Sequence, residues 1–129
     1  MKPPSALPSN VIATKYEGWT PELRQEFLDN AYNTNVGTRL LSETPTIKVW
    51  HIRVAPGERV PAHRHDKDYF WTALRAGRSR QHSEDGTTRE ATYAEGDTKH
   101  YEFPGDDYMI HDLENTGDTE LEFITVEHL

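Results

Sequence analysis

Short runs of β-forming residues, separated by residues that favour turns, fill the chain from position 36 to its end. The run at 46–54 reads TIKVWHIRV and stops at the tetrapeptide APGE. The proline of this tetrapeptide has a fixed φ, and its glycine allows backbone conformations that favour a turn. Roughly eight or nine such strands with no helix between them predict an all-β fold, either a double-sheet jelly roll or a small barrel. The further strands are predicted at 60–65, 69–74, 78–83, 87–94, 98–103, 108–113 and 120–127.

A single helix is predicted ahead of these strands. Thr20 is suited to the N-cap and Pro21 to the first helical position, and the apolar side chains that follow recur on one side of a helix. We expect this helix to end near Asn33 and to cover one end of the sheet. The residues on its apolar side are Leu23, Phe27 and Ala31.

The start of the chain has a different character. Residues 1–11 are rich in proline and small side chains and show no apolar pattern of their own. We expect them to form an arm that is either disordered or laid across a partner subunit. With 129 residues the chain has the size of one domain with one core. The sequence therefore predicts an arm with a short helix at 1–35 and a β-barrel at 36–129.

Charge and composition exclude several classes of protein. The formal net charge is −8, and nine acids but no lysine or arginine lie between Glu102 and Glu127, so no nucleic-acid partner is expected. No apolar run approaches the roughly 18 residues that span a bilayer, and residues 1–10 lack the apolar core of a secretory signal. We therefore expect a cytoplasmic protein without a membrane partner. Cysteine is absent, which leaves His, Asp, Glu and Tyr as metal ligands.

Two histidines stand two positions apart in the predicted strand at 60–65. Because successive side chains of a strand point to opposite faces, His63 and His65 leave the same face and converge. Imidazole is a common ligand of transition metals, and two of them supply half of a typical coordination shell. A third histidine, His111, completes the set if a compact β fold brings the two stretches together.

The histidine pair lies in a pattern that resembles the first sequence motif of the cupins. That motif has a glycine, five residues, His-x-His, three or four residues, a glutamate, six residues and a glycine. The glutamate is missing here, because Tyr69 stands at its place with the shorter spacing and Phe70 with the longer one. The other places of the motif are matched by Gly57, His63, His65 and Gly77.

A second cupin motif is matched in order, although the spacing around its proline-glycine turn is longer than usual. Its residues are Gly96, Pro104, Gly105, His111 and Asn115. Together the two motifs extend the resemblance over residues 36–127. Through VGTRLL, VWHIRVAPGERVPAHRHDKDY and HDLENTGDTELEF the chain looks like a group of small bacterial cupins, some of them labelled beta-alanine degradation proteins. In that group a tyrosine commonly stands where other cupins have the glutamate.

The resemblance implies a cupin-type double-stranded β-helix and a divalent transition metal held by His63, His65 and His111. Three neutral imidazoles without a carboxylate favour zinc, iron, nickel or copper over a hard cation such as manganese, and they leave positions open for water or substrate. If the strand after His65 is unbroken, counting by two places Tyr69 in the same cavity, where we expect it to orient a substrate or donate a proton. Three residues are alternatives for a fourth ligand: Tyr69 as phenolate, His100 and Glu102.

Two functions of different classes follow from these expectations. The first is a metal-dependent enzyme, an oxygenase, isomerase or lyase, that acts on a small organic acid or a related metabolite. The second is a non-catalytic module that binds or senses a small molecule, with the metal structural or anchoring the ligand. Arg53 and Arg75 are candidates for a substrate carboxylate, but a salt bridge to an acid is the better expectation for both. We also expect a homodimer, since single-domain cupins often pair and edge strands need cover.

Overall fold

A computed structural model describes residues 9–129, which form two five-stranded antiparallel sheets and one α-helix. The elements are β1 (Ser9–Ala13), α1 (Pro21–Asp29), β2 (Arg39–Glu43), β3 (Ile47–Val54), β4 (Arg59–His65), β5 (Tyr69–Ala73), β6 (Gly77–His82), β7 (Thr88–Tyr93), β8 (Thr98–Tyr101), β9 (Met109–Asn115) and β10 (Leu121–His128). The first sheet has the order β1-β7-β6-β9-β4, and the second has the order β2-β3-β10-β5-β8. The all-β jelly-roll prediction is confirmed.

The individually predicted strands are all present as β3 to β10, with ends that differ by two residues at most. Two strands are additional. β2 pairs with β3, and β1 pairs with β7 of the same chain, so residues 9–11 belong to a sheet rather than to a disordered arm. Residues 1–8 of the predicted arm lie outside the described residues.

Apolar side chains on the inner faces of both sheets form the core. β10 shows the pattern best, because every second residue from Leu121 to Glu127 is buried, the residues between them are partly buried, and His128 at the end is exposed. The buried side chains come from β3, β5, β7, β9 and β10, so the core lies between the sheets. Its members are Ile52, Val54, Ala73, Tyr93, Leu113, Leu121 and Phe123.

The helix α1 begins and packs as the sequence predicts. The Thr20 side chain accepts a hydrogen bond from the Leu23 amide at 3.1 Å, which satisfies one of the free N–H groups of the first turn. α1 ends at Asp29, four residues before the predicted end, and turns follow it. Phe27 packs against Ala62 of β4 and Ile110 of β9, so the helix covers the outer face of the two strands that carry the histidines. None of the helices formed by residues 9–129 has the length and apolar composition that a membrane crossing requires.

Candidate metal centre

An irregularity in β4 decides which of its side chains face the barrel interior. In the pairing of β4 with β9, Val60 lies opposite Leu113 and His63 lies opposite His111, so two residues, 61 and 62, oppose the single residue 112. This is the geometry of a β-bulge, and a proline is tolerated there because it has no N–H to give to the ladder. The bulge turns Ala62 outward beneath the helix and places His63 on the inner face.

The three predicted histidines meet on this inner face. The ring centroids of His63 and His65 are 4.9 Å apart, those of His63 and His111 4.7 Å, and those of His65 and His111 5.0 Å. One nitrogen of each ring lies within 4.8 Å of the others, and the three side chains together can hold a metal ion. All three residues are buried. Within residues 9–129 this group includes no carboxylate.

Hydrogen bonds fix which ring nitrogens remain available. The Nδ1–H of His63 donates to the carbonyl oxygen of Pro61 at 2.8 Å, so its Nε2 keeps a lone pair. The Nδ1–H of His111 donates to the side-chain oxygen of Gln81 at 3.1 Å, with the same consequence. Among the described residues, the buried Nδ1 of His65 has no hydrogen-bond partner. A buried nitrogen without a partner, beside two free imidazole nitrogens, fits a site built for a transition metal.

The protonation state of the cluster also suits a metal. Burial lowers the pKa of His63, and it lowers the pKa of His65 and of His111 well below the usual value. The neighbouring rings of His63 and His111 lower the pKa of His65 further, and the ring of His63 and the cation of Lys99 do the same for His111, because nearby groups cannot all carry a positive charge. The rings are therefore neutral at pH 7, which is the form that binds a cation.

Tyr69 reaches the cluster by a different route from the predicted one. The strand after His65 is broken, since β4 ends there and Tyr69 begins β5 in the other sheet. Tyr69 nevertheless faces the interior, and its ring stacks on that of His65 with centroids 4.0 Å apart and planes at 10°. Burial raises the pKa of the Tyr69 hydroxyl well above its ordinary value, so the group is a neutral phenol rather than a phenolate.

The other two alternatives for a fourth ligand do not join the cluster. His100 is exposed and its ring lies against that of Phe70 in a tilted arrangement, with centroids 5.1 Å apart, and Glu102 is exposed beyond the end of β8. The two side chains lie on the face opposite that of Tyr101, which is the partly buried neighbour between them. The prediction that His100 and Glu102 share a face of the strand is therefore correct, but that face is the outer one. The inner face carries Lys99 and Tyr101.

The two arginines considered for a substrate carboxylate are engaged elsewhere. Arg53 pairs with Glu120 at 2.6 Å, and Arg75 pairs with Glu122 at 2.9 Å. More than half of each arginine side chain is exposed. The expected salt bridges are confirmed, and neither arginine lines a cavity at the histidines.

Two cavities adjoin the histidines. The smaller has a volume of about 40 Å³, is lined by all three histidines and Tyr69, and has room for only a few water molecules. The larger has a volume of about 400 Å³ and reaches the cluster at His111 and Gln81. Its cationic lining residues, Arg89 and Lys99, were not singled out from the sequence, nor was Gln81. Arg89 is exposed, and the only local signal that connects it to the cavity is that it lies on the same face of β7 as Ala91 and the buried Tyr93.

Comparisons with known proteins bear on the fold. No protein-family model and no curated protein matches the sequence. A cupin domain from Bordetella pertussis Tohama I is similar with a TM-score of 0.62 and 21% identity over 76% of this chain and 96% of that one. A protein with a double-stranded β-helix domain from Klebsiella pneumoniae is similar with a TM-score of 0.56 and 22% identity, over 76% of this chain and 84% of that one.

A third solved structure agrees with these two. A cupin family protein with a double-stranded β-helix fold from Methanocaldococcus jannaschii has a TM-score of 0.55 and 20% identity, over 75% of this chain and 85% of that one. Similarity at this level of identity speaks to architecture alone, so the narrower resemblance to beta-alanine degradation proteins stays a prediction. Ten antiparallel strands in two facing sheets, with the same architecture in all three structures, give this chain the double-stranded β-helix fold of the cupins.

Proposed function

We propose that the protein binds a divalent transition metal through His63, His65 and His111 and uses it to act on a small organic molecule. The observation that carries the proposal is the convergence of three buried, neutral imidazoles whose ligand atoms lie within 4.8 Å of one another. Burying three imidazoles side by side lowers their affinity for protons and costs solvation. A bound cation offsets this cost, because each ring then gives its lone pair to the metal.

The donor set favours particular metals and an open coordination sphere. Three nitrogen ligands without a carboxylate suit zinc, iron or nickel better than hard cations, which prefer oxygen. Three protein ligands also match catalytic rather than closed structural sites. When bound, such an ion supplies Lewis acidity that polarises a substrate oxygen or makes a bound water more acidic.

Tyr69 is the residue of this chain best placed to assist. Its ring is stacked on His65, and Tyr69 is one of the residues that line the smaller cavity. A neutral phenol donates a hydrogen bond or a proton, whereas a phenolate does neither. We assign it the role of orienting a substrate or supplying a proton.

Elemental analysis of protein purified without chelator and without a metal-affinity resin tests the proposal. We expect about one transition-metal ion for each chain, and its loss in His63→Ala and His111→Ala. His100→Ala is the matched control, because this exposed histidine lies outside the cluster and its loss should leave the metal content unchanged. Tyr69→Phe should also keep the metal. Wild-type protein free of metal after growth in supplemented medium would contradict the proposal.

The small volume beside the histidines favours a second function strongly enough to be tested with the first. A cavity of about 40 Å³ is too small for an organic substrate, so an ion there would steady the barrel while a ligand binds in the larger cavity without turnover. The two functions differ in what chelation does. Loss of turnover on chelation, restored by one particular ion, supports the enzyme. Ligand binding that survives chelation, with no product formed, supports the binding module.

A further inference from the structure

The larger cavity lies between the two sheets and is distinct from the space enclosed by the histidines. Its volume is about 400 Å³, and β7 of one sheet and β8 of the other provide facing walls. It meets the histidine cluster at His111, so a molecule bound in it lies next to one of the three imidazoles. Its principal lining residues are Arg89, Tyr93, Lys99, Tyr101, Met109 and His111.

The two cations of this cavity have no acidic partner. The ion pairs formed by residues 9–129 include neither Arg89 nor Lys99. Glu90, the acid next to Arg89, lies on the opposite face of β7 and pairs with Arg80 at 3.1 Å. Residues 1–8 contain no aspartate or glutamate, so that part of the chain has no acidic side chain to offer either cation.

Arg89 and Lys99 are near neighbours at the wall of this cavity. Arg89 lies close enough to Lys99 that, after burial, its charge is the second cause of the lowered pKa of the lysine. Two like charges held together at a cavity wall repel each other, and an anion between them relieves the repulsion.

Polar groups around the cations complete the surroundings that an anion needs. The ammonium of Lys99 lies 5.0 Å from the centre of the Tyr101 ring, which holds the lysine along the inner face of β8. Ser83 and Gln81 bring a hydroxyl and an amide to the same cavity. His111 lines the same cavity, so an anionic group held by the two cations would lie close to one of the three imidazoles.

We propose that Arg89 and Lys99 form a recognition site for the anionic group of the substrate, a carboxylate or a phosphate, in the cavity beside the histidines. Arg89 provides a fork of N–H donors that matches two oxygens of such a group, and Lys99 provides a point charge. The inference rests on the proposed function for its meaning, since the bound anion would be the substrate of the metal centre. It is measured separately, because binding to the two cations does not require the ion.

Calorimetric titration of chelator-treated protein at low ionic strength tests the site. The probes are succinate, inorganic phosphate, and succinamide, which has the shape of succinate without its charge. We expect at least one of the two anions to bind and succinamide not to bind. Arg89→Gln and Lys99→Gln should each weaken anion binding by at least about tenfold. Arg78→Gln is the control, since this exposed arginine of β6 lies outside the cavity and also lacks an ion pair.

Each outcome decides one question. Tighter binding of succinate assigns the site to carboxylates, and tighter binding of phosphate assigns it to phosphorylated molecules. Equal binding of succinate and succinamide, no binding of either anion, or unchanged affinity in Arg89→Gln and Lys99→Gln overturns the inference. Anion binding that persists in a protein shown to take up no metal retains the anion site and rejects the proposed function alone.

Discussion

Gln81 and His111 are joined by a hydrogen bond that determines which nitrogen of His111 is free. The side-chain oxygen of Gln81 accepts the Nδ1–H of His111 at 3.1 Å, and the amide nitrogen of Gln81 donates to the Tyr93 hydroxyl at 3.2 Å. The same hydroxyl lies 2.7 Å from the hydroxyl of Ser79. This chain of contacts orients the amide, and the amide in turn orients the imidazole with Nε2 towards the other two histidines.

Replacing Gln81 by leucine should weaken metal binding without removing a ligand. The variant loses the acceptor that fixes the ring of His111 and its tautomer, and such losses cost about 10- to 100-fold in metal affinity. Competition against a chromophoric chelator measures the change. Gln25→Leu on the exposed face of α1 serves as the control and should match the wild type. Equal affinities in Gln81→Leu and the wild type would show that His111 needs no support from Gln81.

Arg59 connects the helix to both histidine-bearing strands. Its guanidinium makes two hydrogen bonds of 2.8 Å to the Glu26 carboxylate of α1 and one of 2.7 Å to Asp112 of β9. Asp112 is completely buried and also accepts hydrogen bonds from the backbone amide of His82 and from the Nδ1–H of its ring at 2.9 Å. Arg59 is therefore the principal counter-charge of an acid adjacent to His111, and its own hydrogen bond to Glu26 lowers the pKa of that carboxyl.

We expect Arg59→Met to lower the free energy of unfolding by about 3 kcal/mol, because it leaves the carboxylate of Asp112 buried without its cation. Urea denaturation at pH 7 measures the change. Arg53→Met provides the comparison, since its ion pair with Glu120 is exposed and should contribute at most about 1 kcal/mol. Similar effects of the two substitutions would mean that the buried acid is compensated by other groups.

Much of the fold was predictable because local patterns and tertiary environment agree. Strands β3 to β10 combine β-forming residues with strong turn residues, and α1 combines an N-cap with an apolar side. The convergence of His63 and His65 follows from alternation alone. Strand β1 was missed because its residues, SNVIA, follow a proline-rich stretch and are almost entirely exposed, so they carry no burial pattern.

The parts of the site that escaped prediction depend on pairing between distant strands. The bulge at residues 61 and 62 is defined by the register with β9, which no local pattern encodes. Tyr69 belongs to a strand of the other sheet. Counting by two from His63 therefore placed it correctly beside the histidines, although the strand on which the count was based ends at His65. The cavity cations Arg89 and Lys99 come from strands in different sheets, and only the closed barrel brings them together.

The metal-free protein should become less stable as the pH falls from 7 to 5. Burial lowers the pKa of each of the three histidines, whereas in the unfolded chain they titrate near 6.5. Unfolding in this range therefore takes up protons, and the free energy of unfolding decreases as the pH decreases. Each group contributes at most about 1.4 kcal/mol per pH unit.

Urea denaturation of chelator-treated wild type and His65→Gln across this range isolates the effect. The free energy of unfolding of the variant should depend less steeply on pH, because one of the three histidines with a lowered pKa has been removed. The lowered pKa of Glu26 acts below this window, and the raised pKa of Glu127 acts in the opposite direction but equally in both proteins. Parallel curves for the two proteins would show that the cluster titrates as ordinary histidines do.

Strand β2 is an exposed edge that we expect to form the interface of a homodimer. All five of its residues are exposed, including two adjacent leucines, Leu40 and Leu41, and one edge of the strand has no neighbour within residues 9–129. Unpaired backbone groups beside apolar side chains are a surface that a second copy can cover.

Light scattering at micromolar concentration should give twice the mass of a single chain, and Leu41→Asp should give a monomer with an unchanged circular dichroism spectrum, because a charge on the edge opposes its burial. Leu28→Asp is the control, since Leu28 is 72% exposed on α1, away from β2. A dimer that persists in Leu41→Asp would place the interface elsewhere, and a monomeric wild type would leave β2 as a solvent-exposed edge.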